Sequence, residues 1–149
     1  MKMPTWIIYG IIASLCLGSY VIASKIAISG KYFERISPAW TALFMLLGIA
    51  VIFIIAVIKE GFPMPISKPD IGFAVLSGIL WGLGMYFVLK AIAIGADVAK
   101  LTPLYNTNTL VAVLLGIILL HELPKAGDIA RVAVGAVLIV AGAILVSFR

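Results

Sequence analysis

Five long apolar stretches, separated by short polar breaks, run along the chain at about 6–28, 38–58, 71–94, 101–120 and 129–148. Each approaches the roughly 20 residues that a helix needs to cross ~30 Å of hydrocarbon. The breaks are compact. Lys31, Glu34, Arg35 and Pro38 part the first two runs. Lys59, Glu60, Gly61, Pro63, Pro65, Lys68, Pro69 and Asp70 follow the second, and Gly95, Asp97 and Lys100 the third. His121, Glu122, Pro124, Lys125, Gly127 and Asp128 follow the fourth. Clusters of Gly, Pro and charge of this kind punctuate helices. No break is long or polar enough to hold a second, soluble domain. The pattern predicts an all-α integral membrane protein, a five-transmembrane-helix bundle in one domain over residues 1–149. Val21-Ile22-Ala23 resembles a signal cleavage site behind Lys2, but the length of the first run and the spans after it favour a retained helix.

Composition strengthens this reading. The chain is 64% hydrophobic and 11% charged, with a mean hydropathy of +1.24. A soluble domain has about 45–50% apolar and ~25% charged residues. So few charges cannot cover a soluble surface, which excludes a soluble nucleotide enzyme, a secreted disulfide scaffold and a disordered regulator. Cys16 is the single cysteine and His121 the single histidine, so neither an internal disulfide nor a His/Cys metal site is expected. The net charge of +5 is scattered between apolar runs, where lipid headgroups meet it, and does not point to nucleic acid. No Asp or Glu lies deep in a span. There is no phosphate-binding glycine loop, and no Ser–His or paired-carboxylate arrangement within the bilayer. The expectation is a protein with no catalytic residues, no metal and no cofactor.

An odd number of spans puts the termini on opposite sides. Lys2, Lys59, Lys68, Lys125 and Arg131 then share one side, five in all, and Lys25, Lys31, Arg35, Lys90, Lys100 and Arg149 the other, six in all. Orientation follows the Lys/Arg bias of short loops, and a bias of one charge leaves it almost undetermined. Either other factors fix one orientation, or both insert.

Small residues mark candidate helix seams, because lipid-immersed helices associate by close backbone approach. Gly10, Ser14 and Gly18 share a face of the first span, Gly78 and Gly82 of the third, Ala112 and Gly116 of the fourth, and Gly135 and Gly142 of the fifth. The second span, with Phe44, Met45, Leu46, Leu47 and Phe53, reads as peripheral and lipid-facing. The fourth span is the polar one. Thr102, Tyr105, Asn106, Thr109, Val113 and Gly116 fall on one stripe at 100° per residue, with Asn108 off it. An amide facing hydrocarbon alone costs several kcal/mol, so these groups must meet protein, water or ligand. Interhelical hydrogen bonding is one such use, and a solute cavity lined by Thr102, Tyr105, Asn106 and Thr109 is the other. Asn108 is expected to bond a neighbouring helix. The face of Gly78, Gly82 and Tyr86 is the expected opposite wall, and Ser14 adds a hydroxyl from the first span. Lys25 and Lys90 lie within about a turn of helix ends on the same side. They either snorkel to the headgroups or form a basic mouth for an anionic solute. Glu122 reads as a solvated boundary beside Lys125.

Leu101-Thr102-Pro103, then Gly116 to Glu122, a short loop, and Gly135 and Gly142, together resemble the closing part of an EamA-type domain of the drug/metabolite transporter superfamily. Upstream, Ala91 to Asp97 is similar to the end of the third helix of such a domain. The chain departs from the family at His121, where glycine often precedes the glutamate, and across 37–58, where many members carry an arginine. The resemblance implies transport of small metabolites by alternating access, with two five-helix halves in opposite orientations and the solute site between them. This sequence carries one such half, and the near-balanced charges make a second copy in the opposite orientation the simplest complement. A heterodimer with a related subunit is the other. The reading is thus a dual-topology, dimeric secondary transporter subunit for a small-molecule solute, multi-pass in the plasma (inner) membrane of a prokaryote. The alternative is a non-transporting scaffold or regulatory subunit of another membrane protein, which would use up the polar stripe in helix contacts.

Overall fold

The computed structural model describes residues 5–31, 34–61, 68–121 and 126–147. These form six helices: α1 (Thr5–Ser29), α2 (Pro38–Glu60), α3 (Lys68–Ala93), α4 (Val98–Tyr105), α5 (Asn108–Leu119) and α6 (Ala126–Ser147). Among the described residues there is no strand. Five spans are long and apolar enough to cross a membrane: Thr5–Ser29, Pro38–Glu60, Lys68–Ala93, Val98–Leu119 and Ile129–Ser147. The apolar runs therefore predicted the number and place of the spans. Within the fourth span, α4 and α5 are separated by Asn106 and Thr107.

Local chemistry sets the ends. Ser37 caps α2, its hydroxyl accepting the Trp40 N–H at 3.4 Å, and Pro38 follows at the first helical position. α2 stops at Gly61, whose φ of 76° suits a residue without Cβ. Asp70 in the first turn of α3 and Lys90 in the last complement the helix dipole. α3 closes on Gly95, at φ 105°. Beyond α5, His121 takes the left-handed conformation at φ 54°. Glycine adopts this at no steric cost, whereas an L-residue crowds its own carbonyl. His121→Gly is therefore expected to stabilise the chain by about 1 kcal/mol, read as a higher unfolding temperature in detergent.

The chain divides into two compact units, Met1–Gly95 with α1–α3 and Ala96–Arg149 with α4–α6. In the first, Val21, Ser24 and Ile28 of α1, Thr41 of α2, and Met85, Leu89 and Ile92 of α3 are buried. They come from the end of α1, the start of α2 and the end of α3, so the three helices converge at one end of the unit. The α1–α2 connection is tied in there. Ile36 N–H donates to the Ala27 carbonyl at 3.3 Å, and Arg35 Nη2 donates to the Ala93 carbonyl in the last turn of α3 at 2.7 Å. Met45, expected to face lipid, is instead half-buried, with its sulfur 4.0 Å from the Ser24 hydroxyl of α1. Most of the rest of α2 is exposed. Phe44, Leu46, Leu47 and Phe53 are all exposed, as a lipid-facing helix requires.

In the second unit α4 packs on α6. The Ser147 hydroxyl, at the end of α6, donates to the Lys100 carbonyl near the start of α4 at 2.8 Å, so the two run antiparallel. Ala143 of α6 is buried. The glycine seams make no close contact within the chain. A Cβ on Gly10, Gly18, Gly78, Gly82, Gly135 or Gly142 would meet nothing within 4 Å. Gly116 is half-buried. The first unit's core is instead built from larger side chains near the helix ends, where a connecting segment and side-chain caps hold the backbone together.

Candidate solute site at the interrupted fourth span

The break in the fourth span coincides with its polar residues. α4 opens at Asp97, whose carbonyl accepts the Lys100 and Leu101 N–H groups at 3.0 and 2.8 Å. The Asp97 carboxylate lies 3.9 Å from Lys100 Nζ. Pro103, inside α4, has no N–H to give the preceding turn. Asn106 N–H still bonds the Thr102 carbonyl at 3.1 Å, four residues back. The spacing then tightens to three residues. Thr107 N–H bonds Leu104 at 3.3 Å, Thr109 N–H bonds Asn106 at 3.2 Å, and Leu110 N–H bonds Thr107 at 2.9 Å.

Two threonine hydroxyls support this tight turn. Thr107 Oγ1 donates to the Leu104 carbonyl at 2.7 Å, and Thr109 Oγ1 donates to the Asn106 carbonyl at 3.0 Å. Each carbonyl thus receives both the amide and the hydroxyl of the residue three positions on. Serine and threonine side chains resatisfy freed backbone groups inside membranes in this way. The bonding also narrows what Thr109 can offer. A hydroxyl has one hydrogen, and that of Thr109 is given to the backbone, so toward a solute it can only accept.

The eight residues of α4 span about 12 Å, which places the break well inside a ~30 Å hydrocarbon layer. Asn106 and Thr107 both keep right-handed helical dihedrals, so the break is one tightened turn, of the kind that often marks a hinge or strain within a helix. Asn106, Asn108 and Thr109 are exposed around the break, while Thr102 and Tyr105 are half-buried. Thr102 Oγ1 is itself buried without a hydrogen-bond partner. The stripe residues thus cluster in the second unit, linked through the Thr102 and Asn106 carbonyls. Asn108 opens α5 as an exposed residue.

The first unit carries the other candidates. Lys90 Nζ sits 5.5 Å from the centroid of the Tyr86 ring, a cation–π separation. Tyr86 also meets Phe87, ring centroids 5.9 Å apart at 60°. Ser14 is exposed on α1. Lys25 is half-buried in the last turns of the same helix. Glu122 and Lys125 lie outside the described residues. No group of His, Cys, Asp and Glu among the described residues could hold a metal ion.

Sequence reasoning missed the break, the threonine bonds that support it and the Arg35 and Ser147 ties. A signal for the break was present. Pro103 followed by Asn106-Thr107-Asn108-Thr109 combines a missing donor with residues whose side chains compete for backbone bonds.

Five apolar spans, one of them interrupted at its polar residues, define a polytopic α-helical protein of the integral membrane class. The EamA-like transporter family matches residues 4–148, nearly the whole chain, and the chain belongs to that family. It is therefore a membrane protein of transporter type. No curated protein and no solved structure matches it significantly.

Proposed function

We propose that the chain is a subunit of a secondary transporter that moves a small metabolite by alternating access, as an antiparallel dimer in the plasma membrane of a prokaryote. The observation that carries this reading is the interrupted fourth span, with exposed amides at its break. Discontinuous helices at the midplane are where many transporters with inverted halves hold their solutes. In this reading Asn106 is the main hydrogen-bonding group, Thr109 an acceptor, and Thr102 and Tyr105 flank them. On the first unit, Ser14, Tyr86 and Lys90 are separate candidates for solute contact, with Lys90 favouring a solute that carries negative charge. The open glycines, Gly10, Gly18, Gly78, Gly82, Gly135 and Gly142, have no Cβ contacts in their own chain. They are free to pack against the second five-span half, a second copy or a related subunit.

The test pairs uptake into proteoliposomes against a metabolite panel with cysteine labelling from water. Cysteine at position 106 should be labelled and protected by the transported solute. Asn106→Ala should weaken uptake while leaving the unfolding temperature near wild type. Asn108→Ala should instead act on stability, by about 1 kcal/mol, the scale of an interhelical bond to the second half. Cysteines at both positions that resist water-soluble reagents in a transporting protein would remove the stripe from the site.

A further inference from the structure

The first unit is electrically lopsided along its axis. The end that holds its core carries Lys25, Lys31, Arg35 and Lys90 against Glu34, four cations to one carboxylate. At the far end the described residues are balanced, Lys59 and Lys68 against Glu60 and Asp70, two of each sign. The structure also gathers the cations of the core end. Arg35 Cβ lies 3.3 Å from the point where a Cβ on Gly30 would stand, beside Lys31. The Arg35 guanidinium meanwhile bonds the Ala93 carbonyl at 2.7 Å, one turn beyond Lys90. Arg35 thus bridges the neighbourhoods of Lys31 and Lys90, and is itself exposed. The carbonyl of Ala93 engages one N–H of a guanidinium that has five.

Apolar surface surrounds this charge. Ile22, Phe87 and Ile94 are 53%, 60% and 88% exposed. They stand within about a turn of Lys25 or Lys90. A soluble anion would satisfy the cations but make no use of the apolar side chains beside them. A ligand with an anionic head and acyl chains satisfies both.

We propose that this end of the first unit is a docking surface for anionic phospholipid. The phosphate faces Arg35, Lys31 and Lys90, and the chains lie along the exposed apolar side chains of α1 and α3. The aromatic ring of Tyr86 under the Lys90 ammonium is the kind of pairing that anchors a helix at headgroup level. The inference stands on charge placement and shares Lys90 and Tyr86 with the transport reading, while Arg35 and Lys31 belong to it alone.

The experiment uses the full purified chain in nanodiscs of phosphatidylcholine alone, or with a share of phosphatidylglycerol, at low salt. Phosphatidylglycerol should raise Tm by about 4 °C or more over phosphatidylcholine, and high salt should remove most of that gain. K31Q/K90Q should lose at least half of it, and K59Q/K68Q, at the far end, should keep it. Should K31Q/K90Q prove unfolded in phosphatidylcholine, K31Q alone carries the comparison. Equal Tm in the two lipids overturns the proposal, as does an equal loss in the far-end variant. An equal Tm gain from inorganic phosphate in phosphatidylcholine discs would also overturn it, by making the patch a soluble-anion site.

Discussion

Three lysines added beside Lys2 should insert nearly every copy in one orientation and remove most of the transport activity. Co-expression with a copy biased the other way should restore it. The expectation rests on the near balance of five Lys/Arg on one side of the membrane against six on the other. Orientation responds to that difference over short loops. A basic residue close to an anionic leaflet is worth about 1 kcal/mol. Three added lysines make the count eight against six, and a bias of two, about 2 kcal/mol, gives a mixture of roughly thirty to one. The number of antiparallel pairs is then limited by a minority of about 3%, and uptake falls by about tenfold or more. The measurement is uptake normalised to inserted protein, with accessibility tags reporting orientation. A biased variant that transports at the wild-type rate alone would replace the antiparallel pair with a parallel one, or with a heteromer of fixed orientation.

Much of the fold was legible because hydrophobic run length is a one-dimensional signal. Lipid imposes it directly: a span of too few apolar residues cannot cross, and each backbone group must be bonded within the helix. Punctuation such as Ser37-Pro38 and Gly61 is local too, and α2 begins and ends there. Tertiary ties are not local. Nothing in a single sequence says that Arg35 reaches the carbonyl of Ala93, 58 positions away. Nor does it say that Ser147 reaches Lys100. The glycines are ambiguous for a related reason. Their spacing shows which face lets another backbone approach, but not whether that backbone belongs to the same chain. His121 is the opposite case. Its left-handed backbone gives a physical reason for the glycine that the family often has there, a departure visible in sequence whose cause needed coordinates.

The polar stripe was half legible. Helical spacing gathered Thr102, Tyr105, Asn106 and Thr109 on one face, on the assumption that the helix continues. At the break the turn tightens, and two of the local threonines spend their hydrogens on backbone carbonyls. Thr107, left off the stripe by the helical wheel, supports the turn together with Thr109. A wheel treats side chains as directions from a regular axis and cannot show a residue that sustains an irregular one.

Thr107→Val with Thr109→Val should therefore act more strongly than either asparagine substitution. Valine matches threonine in shape but has no hydroxyl, so the Leu104 and Asn106 carbonyls each lose a donor. Each carbonyl keeps its amide bond and loses a second one, worth about 0.5–1.5 kcal/mol. The chain has a way out. A continuous helix would restore bonds from the Asn108 and Leu110 N–H groups to the same two carbonyls, four residues on. That would remove the break and turn the stripe after position 107 relative to the stripe before it. The double variant is thus expected to lose about tenfold or more in uptake, with an unfolding temperature lowered by only about 5 °C, because straightening recovers part of the cost. Thr107→Ser with Thr109→Ser keeps both hydroxyls and should retain most of the activity. Uptake by the valine variant equal to that of the serine variant would show that the hydroxyls do not hold the break open, and that the interruption owes its shape to Pro103 alone.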